Sequence, residues 1–306
     1  MKRFFQAPWR FAACYAALLL AVFSWALLDT FVIPRREALL SRALDAADKV
    51  LETLAPNATA QPAPVVTATS YQDGSVSVEI DAIRRDGTTC YVADVRLAAP
   101  SLLQTALAED TFGRNLRQTV SDMARDKNAI LAINGDYYGS RKSGWCLRNG
   151  VLYREGPASS ATELLLIDQA GDFSIASDRG MAAADADGLW QIFSFGPALV
   201  EDGQIAVDES DEVARAKASN PRTAIGQIGP LHYVLVVSDG RTEESAGLSL
   251  AQLAGLMRDV GCHTAYNLDG GGSSTMVFMG EVVNKPTTNG NAITEREVSD
   301  IVYIGI

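Results

Sequence analysis

The feature that most constrains the fold is a long apolar segment near the N-terminus, because it must be removed from water in any stable structure. Residues 11–33 contain Asp29 as their only charged side chain. As a helix with a rise of ~1.5 Å per residue, a segment of this length spans a hydrocarbon core of ~30 Å. The segment therefore predicts a single transmembrane anchor.

The flanking charges indicate how this anchor is oriented. Three basic side chains lie within residues 1–10, and basic residues favour the cytoplasmic side. Arg35 and Arg36 lie beyond the anchor and oppose this orientation. A cleaved signal peptide is the alternative, but it would have a shorter apolar core and a small-residue cleavage site. We predict a cytoplasmic N-terminus at residues 1–10, a membrane span at residues 11–33 and an extracytoplasmic folded domain.

Residues 34–64 connect the anchor to this domain. Within them, residues 37–54 carry apolar side chains at three- and four-residue steps, which predicts an amphipathic helix. Pro56 ends this pattern, and residues 55–64 have the composition of a linker. The folded domain is predicted to occupy residues 65–306.

Alternating apolar residues predict strands in the folded domain. Residues 76–80 and 91–97 alternate on either side of Asp86-Gly87, which indicates a β-hairpin, and a second hairpin is expected around Gly229-Pro230. Helices are predicted over three segments, residues 102–108, 116–125 and 249–260, the last with Ser249 as N-cap and Gly261 as C-cap. No regular βαβ alternation occurs. The predicted class is α+β, with a mixed, mainly antiparallel sheet and inserted helices.

Composition limits the ligands that the domain binds. The net charge of −11 repels phosphate backbones at long range, so no nucleic-acid partner is predicted. The chain has 2 histidines and no CxxC spacing, so neither a metal site nor a cofactor is predicted. An oxidising exterior permits one disulfide, for which Cys90–Cys146 is favoured, and three buried free thiols are the alternative.

Polar residues cluster where apolar strands end, a position at which a rigid sheet holds side chains in place. They form four segments, residues 134–139, 220–223, 238–241 and 267–275. The last segment contains consecutive small residues, Gly270, Gly271, Gly272, Ser273 and Ser274. Glycines permit close approach of backbone N–H groups to a ligand, which predicts a nest for an anion. A tight crossover between two strands is the alternative.

Seven segments extend this pattern over the folded domain. They are AINGDYYG (132–139), RNGVLYRE (148–155), FGPALVEDG (195–203), NPRTAIG (220–226), SDGR (238–241), YNLDGGGSSTM (266–276) and REVSDIVYIG (296–305). In this order they resemble the phosphodiester glycosidase family, from roughly Tyr91 to the C-terminus. The resemblance implies a hydrolase that releases the sugar from a sugar-1-phosphodiester. For bacterial members it also implies an extracytoplasmic setting, often on polysaccharide of the cell envelope.

Such a substrate sets the requirements for the site. The leaving group is a phosphate monoester, so the site needs a carboxylate at the anomeric carbon and donors for the departing phosphate. Asp269, beside the glycines, is predicted as base or nucleophile. Asp136 and Asp239 are alternatives or partners. Many family members have NGG followed by an aromatic residue where this chain has Gly135-Asp136-Tyr137, which makes Asp136 a weaker candidate for a universal catalytic residue.

The remaining candidates are predicted to bind the substrate. Phosphate-binding arginines are expected at three positions, with Arg222 as first choice before Arg241 and Arg296. Five other residues are predicted to contact the sugar. Asn134 and Asn267 are expected to hydrogen-bond its hydroxyl groups, and Thr223 is a further substrate-binding candidate. Tyr137 or Tyr138 is expected to stack on the sugar face. Asp300 is expected to orient an arginine rather than to react.

Two other functions are compatible with the same residues. A phosphodiesterase would cut the P–O bond instead of the sugar C–O bond. A non-catalytic module of exopolysaccharide assembly would bind the glycopolymer without cutting it. Ionisable residues beside the glycines favour catalysis, because a sugar-binding module usually exposes more tryptophan than Trp145 and Trp190 provide.

Overall fold

The computed structural model describes residues 8–36, 63–158, 163–207, 219–288 and 292–305. The α-helices in these residues are α1 (Pro8–Phe31), α2 (Val120–Asp126) and α3 (Leu250–Asp259). The first strands are β1 (Arg35–Arg36), β2 (Val65–Val66), β3 (Ser70–Gln72), β4 (Val76–Arg85), β5 (Thr88–Leu97), β6 (Leu103–Leu107), β7 (Gly113–Arg114), β8 (Leu131–Asn134), β9 (Cys146–Arg148) and β10 (Val151–Arg154). They are followed by β11 (Glu163–Asp168), β12 (Phe173–Ser177), β13 (Leu189–Phe193), β14 (Ala198–Glu201), β15 (Gln204–Ile205), β16 (Arg222–Gly229), β17 (His232–Ser238), β18 (Thr264–Asn267), β19 (Met276–Phe278), β20 (Glu281–Val282) and β21 (Asp300–Ile304).

These strands form three larger sheets and one two-stranded pair. The nine-stranded sheet has the order β15-β14-β18-β16-β17-β5-β4-β3-β2. The β8 sheet has the order β20-β19-β8-β21-β6, and the β11 sheet has the order β10-β9-β13-β11-β12. Strand β1 pairs with β7. The nine-stranded sheet and the β8 sheet each join strands that are distant in the chain, so these two sheets interlock, whereas the β11 sheet consists of the consecutive strands β9 to β13.

The main core lies between the nine-stranded sheet and the two five-stranded sheets. Leu235 and Val237 of β17 face this core, whereas Val236 between them faces α3. This alternation follows from the two-residue period of a strand. Helix α3 therefore covers the outer face of the nine-stranded sheet, and α2 packs against the β8 sheet through buried residues such as Met123.

The α+β class is confirmed, with mainly antiparallel sheets and inserted helices. The expected single mixed sheet is wrong: in the described parts of the chain, all pairs of strands are antiparallel and they divide among several sheets. Hairpins and long returns connect these strands, and neither imposes a parallel crossover.

The predicted secondary structure is correct where the sequence contains recognisable turn residues or helix caps. The hairpins β4–β5 and β16–β17 form around Asp86-Gly87 and Gly229-Pro230, as predicted. The predicted α3 is also confirmed, because the Ser249 side chain accepts a hydrogen bond from the backbone N–H of Gln252 and Gly261 follows the helix with φ of 93°.

Two predicted helices and the predicted disulfide need correction. Residues 102–108 contain strand β6, which pairs with the C-terminal strand β21, and the helix predicted at 116–125 begins only at Val120. Cys90 and Cys146 are both buried free thiols, so the Cys90–Cys146 disulfide is wrong. The apolar run of residues 102–108 fits a strand as well as a helix, and only the distant partner decides between them.

The N-terminal helix matches the predicted anchor in position and length. Within α1, Ala12–Asp29 has a mean hydropathy of 1.8 and is 0% buried inside the protein, so its length and composition permit a membrane span. The chain then contacts the folded domain, because Asn115 Nδ2 donates to the Ile33 carbonyl at 3.0 Å and β1 pairs with β7. The helix predicted at residues 37–54 lies outside the described residues.

Candidate active site

A cleft of about 160 Å³ opens where loops from two sheets meet. Its lining comes from the loop after β8 (Gly135, Tyr137, Ser140), the loop after β18 (Asp269, Ser273), residues 296–300 at the start of β21 and Arg117 before α2. Backbone hydrogen bonds fix these segments to each other: the N–H of Asp269 donates to Gly135 O at 3.2 Å, and the N–H of Gly135 donates to Asp300 O at 2.9 Å. The cleft is therefore a built feature of the fold.

Asp269 is a half-buried carboxyl group of this cleft. Burial raises its pKa from 3.8 to about 6, against the opposing effects of the Ser273 hydroxyl, the Arg296 guanidinium and the backbone N–H of Gly270. A carboxyl group with this pKa is mainly ionised at pH 7 and is more basic than an ordinary aspartate. The predicted role as base or nucleophile needs this charge state.

Two guanidinium groups of the cleft make no hydrogen bond or ion pair within the described part of the chain. Arg296 is half-buried and close enough to Asp269 to lower its pKa, and Arg117 is exposed at the rim. Glu297, which is exposed, lies beside them in the lining. Unpaired guanidinium groups in the cleft of an acidic protein are suited to bind an anion through charge-assisted hydrogen bonds.

The consecutive glycines make room for arginine side chains. A Cβ atom on Gly271 would lie 2.9 Å from Nη2 of Arg241, and one on Gly272 would lie 2.6 Å from Nη2 of Arg296. Gly271 also has a φ of 64°, which disfavours other residues. Side chains at these two positions would displace the arginines from the loop.

The predicted nest of free N–H groups is wrong for most of this loop. The N–H of Gly271 donates to Pro221 O at 2.8 Å. Those of Ser273 and Ser274 donate to Gly270 O and Gly271 O at 3.3 and 3.2 Å. The loop uses these donors for its own tight turn, so positive charge in the cleft comes from the arginines instead.

Asp136 belongs to a buried cluster beneath the cleft. Nη2 of Arg148 donates to Asp136 Oδ1 at 2.7 Å and to Asp300 Oδ2 at 2.9 Å. The backbone N–H groups of Ser194 and Tyr138 donate to the Asp136 carboxylate at 2.8 and 3.2 Å. Asp136 is thus a paired structural carboxylate outside the lining of the cleft, and the expectation that Asp300 orients an arginine agrees with this geometry.

The side chains that were predicted to bind the sugar hydroxyls form hydrogen bonds within the protein instead. Asn134 is buried; its Nδ2 donates to Asp269 O at 2.6 Å and its Oδ1 accepts from Thr223 Oγ1 at 2.8 Å. Asn267 is also buried, and its Nδ2 donates to Gly196 O at 2.7 Å. Asn134 and Thr223 therefore hold the Asp269 backbone in place without facing the cleft.

Two further candidates lie away from the cleft lining. Arg222, the first choice for the phosphate, is buried and donates from Nε to Leu248 O at 2.9 Å. Asp239 is buried as well, and its Oδ1 accepts from the backbone N–H of Lys285 at 2.8 Å. Burial raises the pKa of Asp239, against the effect of Lys285.

Arg241 connects two loops near the cleft. Its Nη2 donates to Asn220 Oδ1 at 3.1 Å, and its Nη1 donates to Thr288 O at 3.1 Å. Its hydrogen-bonding capacity is therefore largely used within the protein. Of the three arginines that were predicted to bind the phosphate, only Arg296 lines the cleft.

The two adjacent tyrosines have different environments. Tyr137 lines the cleft, is 42% exposed and has a φ of 72°, which is unusual for an aromatic residue. Tyr138 is buried and stacks on Phe112 at 5.2 Å between ring centroids. Of the two, only Tyr137 is placed to stack on a sugar.

Ser273 and Ser274 are both buried, and Ser273 faces Asp269. The Ser274 hydroxyl has no hydrogen-bond partner within the described residues. Sequence reasoning assigned both to substrate binding, and Ser273 is the one that lines the cleft.

Several residues of the cleft were absent from the sequence-based candidates. They are Arg117, Ser140, Glu297 and Ser299 in the lining, with Arg148 in the cluster beneath. Arg148 opens the RNGVLYRE segment, so the resemblance contained a signal for it. Arg117 lies outside all seven segments and had none. Among the described residues, no group of three or more His, Cys, Asp or Glu side chains comes together to hold a metal ion.

Comparison with known sequences identifies the family. The sequence model described as Phosphodiester glycosidase matches residues 127–305. The chain is 31% identical over 202 residues to the SPbeta prophage-derived uncharacterized protein YomE of Bacillus subtilis, which covers 63% of this chain and 30% of that protein. It is 30% identical over 192 residues to N-acetylglucosamine-1-phosphodiester alpha-N-acetylglucosaminidase of Homo sapiens, which covers 56% of this chain and 36% of the human protein. The chain thus spans about a third of the length of these relatives.

Solved structures share the fold. The catalytic domain of zebrafish N-acetylglucosamine-1-phosphodiester alpha-N-acetylglucosaminidase, auto-inhibited by its pro-peptide, superposes with a TM-score of 0.62 at 20% identity, covering 91% of this chain and 99% of that one. A hypothetical protein from Synechocystis superposes with a TM-score of 0.53 at 14% identity, covering 75% and 62%.

Together these findings identify the family of the chain. Because the family model covers more than half of the sequence, the chain belongs to the phosphodiester glycosidase family. The resemblance seen in the seven segments is confirmed.

Proposed function

We propose that this protein is a membrane-anchored, extracytoplasmic glycosidase that hydrolyses a sugar-1-phosphodiester at the sugar C–O bond. The observation that carries the proposal is one cleft with a carboxyl group of raised pKa, Asp269, beside the unpaired guanidinium of Arg296. The carboxylate suits attack at the anomeric carbon, and the guanidinium suits the departing phosphate.

The charge that develops in the reaction explains why the site needs both groups. A phosphodiester carries one negative charge, and the C–O electron pair adds a second to the leaving phosphate monoester. Arg296, with Arg117 at the rim, stabilises this second charge, so these two residues replace Arg222 as the proposed phosphate-binding pair. Asp269 activates water or attacks the carbon directly, and Tyr137 provides the surface for the sugar ring.

The sugar and its setting are proposed from the relatives and from the N-terminal helix. The human relative is named for an N-acetylglucosamine-1-phosphodiester, which makes that sugar the first donor to test. Support for an envelope glycopolymer as substrate comes from α1 and from the contact between Ile33 and Asn115. Arg117 follows Asn115 by two residues, so an anchored protein would open its cleft close to the membrane surface.

Hydrolysis in heavy-oxygen water tests this proposal. The full-length protein in detergent is given glycosyl-1-phosphodiesters of N-acetylglucosamine, glucose and galactose. We expect the label in the released sugar, because water attacks carbon and phosphate keeps its own oxygens. Label in the phosphate would establish a phosphodiesterase instead. Binding of the donors without turnover would establish a glycopolymer-binding module.

A pair of conservative variants links the activity to the cleft. Asp269→Asn keeps the shape but removes the charge, so turnover should fall by at least about 10³-fold. Asp81→Asn makes the same chemical change at an exposed position of strand β4 and should retain wild-type rates. Equal rates in the two variants would exclude Asp269 as base or nucleophile.

A further inference from the structure

The chain that leaves the N-terminal helix is held directly against a loop of the cleft. Ile33 is two residues beyond the end of α1 and therefore lies no more than ~7 Å from Phe31. Its carbonyl accepts a hydrogen bond from Asn115 Nδ2 at 3.0 Å. The backbone N–H of Asn115 donates in turn to Gly139 O at 3.0 Å. Asn115 therefore joins the end of the helix to the loop that follows β8.

The residues around this contact line the cleft. Tyr137 and Ser140 lie on either side of Gly139 in the loop after β8, and Arg117 follows Asn115 by two residues. The backbone pairing of β1 with β7, which ends one residue before Asn115, fixes the same segment a second time. The end of α1 and the cleft are thus neighbours through hydrogen-bonded contacts.

The segments that meet here are basic, although the protein is acidic. We call residues 32–36, 111–119 and 137–143 the anchor-side segments. They contain 6 of the 26 basic residues of the chain and none of its 37 acidic residues. The six are Arg35, Arg36, Arg114, Arg117, Arg141 and Lys142. The Arg141 guanidinium is turned inward to the Ser194 carbonyl, so it adds least to the charge of the surface.

The neighbouring acidic residues leave most of this positive charge in place. Arg117 and Lys142 are exposed. Asp110 and Asp122 flank the second segment, but each is paired with a basic residue outside the anchor-side segments. The exposed Glu297 lies beside Arg117 in the cleft lining and offsets one charge. Basic side chains next to the point where an apolar helix leaves a bilayer attract anionic phospholipid headgroups.

We propose, resting on the function proposed above, that the anchor-side segments dock on the anionic leaflet at the domain end of α1, and that the substrate is a glycosyl-1-phosphodiester carried by a lipid of that leaflet. The phosphate of such a lipid lies in the headgroup layer, directly outside the hydrocarbon core that α1 spans. The contacts of Asn115 with Ile33 and Gly139 hold the cleft at this height. A lipid confined to the same leaflet also has a high effective concentration at the cleft.

The reaction then leaves the lipid in the bilayer. One water is consumed: its hydroxyl ends on the anomeric carbon of the released sugar, and its proton passes to solvent. The C–O electron pair stays on the bridging oxygen, so the lipid phosphate monoester keeps all of its oxygens and gains one negative charge. Arg296 and Arg117 in the cleft stabilise this charge. The sugar diffuses away, and the lipid phosphate stays in the leaflet.

Turnover in vesicles tests the substrate class. The full-length protein is reconstituted in phosphatidylcholine and phosphatidylglycerol at three to one. The lipid donor is the octadecyl diester of N-acetylglucosamine-1-phosphate in the same vesicles, the soluble donor is the methyl diester, and glucose and galactose donors are tested likewise. At equal total concentration we expect at least a tenfold higher rate with the lipid donor, and at least a tenfold loss when the lipid donor is placed in separate vesicles. Turnover of the methyl diester without turnover of the octadecyl diester would overturn the substrate class and leave the proposed function intact.

Two variants outside the cleft lining test the docking. Asn115→Gly removes the donor to the Ile33 carbonyl and tolerates the φ of 60° at this position. Lys142→Glu reverses an exposed charge. Each should lower the rate on the lipid donor about fivefold and leave the rate on the methyl diester in detergent unchanged. Arg179→Glu, the same reversal at an exposed residue outside the anchor-side segments, should leave both rates unchanged.

The remaining outcomes separate docking from the proposed function. A lipid-donor rate that neither variant lowers would contradict docking, and so would an equal loss in Arg179→Glu, because net charge would then control the rate. If Asn115→Gly fails to fold by circular dichroism, Lys142→Glu decides, together with vesicles that lack phosphatidylglycerol, in which the wild-type protein should show a similar loss. No turnover of any donor, lipid or soluble, contradicts the proposed function itself.

Discussion

The Asp269 side chain must remain ionised in a partly buried place, and this requirement lowers the stability of the fold. Its pKa rises from 3.8 to about 6, so the folded state binds the proton more tightly than the unfolded chain does. The penalty is absent below pH 3.8, develops as pH rises and is complete above about pH 6. Active-site groups commonly oppose stability in this way.

Asp269→Asn should therefore stabilise the protein while it removes turnover. We expect a gain in the free energy of unfolding of ~1–2 kcal/mol at pH 8, after allowance for solvent screening, and a smaller gain at pH 4.5. Urea unfolding of both proteins at the two pH values measures it. A variant that is less stable than wild type at pH 8 would contradict the sign of this effect.

Arg296 should contribute to catalysis in proportion to its contacts with the departing phosphate. Arg296→Ala is expected to raise the activation free energy by ~2–4 kcal/mol, because charge-assisted bonds to the leaving group are lost. Arg296→Lys should lie between, since lysine keeps the charge without the bidentate geometry. Steady-state kinetics measures these changes. Arg179→Ala, at an exposed arginine outside the cleft lining, should have no effect, and equal losses in Arg179→Ala and Arg296→Ala would contradict the assignment.

Single residues also show where sequence reasoning succeeds. Asp269 and Arg296 stand in recognisable segments, and the structure brings both into the cleft. Arg222 stands in such a segment too, yet its guanidinium turns to the Leu248 carbonyl. The direction of a long side chain depends on packing from other elements, which a single segment does not contain. Arg117 was missed for the related reason that its partners in the cleft come from distant loops.

At the scale of elements, predictions succeeded where the information is local. Helix α3 and the two hairpins carry their own caps and turns within a few residues. Strand β6 was predicted as a helix because its pairing partner, β21, lies at the other end of the folded domain. Its apolar run has no turn or cap of its own, so tertiary pairing overrides the local pattern.

The capping box of α3 should make a measurable contribution to stability. The Ser249 hydroxyl accepts from the backbone N–H of Gln252, and the Gln252 side chain accepts from the N–H of Ser249 at 2.9 Å. Ser249→Ala should lower the free energy of unfolding by ~1 kcal/mol, and Ser249→Asp should largely retain it. Thermal and urea unfolding measure this difference. Equal loss in both variants would indicate that packing around the position, and not the cap, controls stability.

At the scale of the whole molecule, the site exists only because separate sheets meet. The loops after β8 and β18 belong to different sheets, and residues 296–300 join them from the last strand. The seven segments, taken in order, predicted the family of the chain. They did not predict which side chains of these loops face each other. That information lies in the register between sheets, which depends on contacts between segments far apart in the sequence.

The topology of the anchor is the prediction that belongs to the molecule as a whole. Basic side chains within residues 1–10 and the exposed apolar helix α1 favour a cytoplasmic N-terminus with the domain outside. Protease added to intact cells should therefore remove the folded domain, because the segment that links it to α1 is predicted to be accessible from outside. A cytoplasmic protein in the same cells should stay intact until the membrane is permeabilised.

The N-terminal sequence of the protein from membranes should begin before residue 11, because the anchor is retained. Protection of the domain in intact cells would reverse the orientation, and a mature N-terminus near residue 30 would replace the anchor by a cleaved signal peptide. In that second case the cleft would act on soluble or wall-bound donors away from the membrane surface.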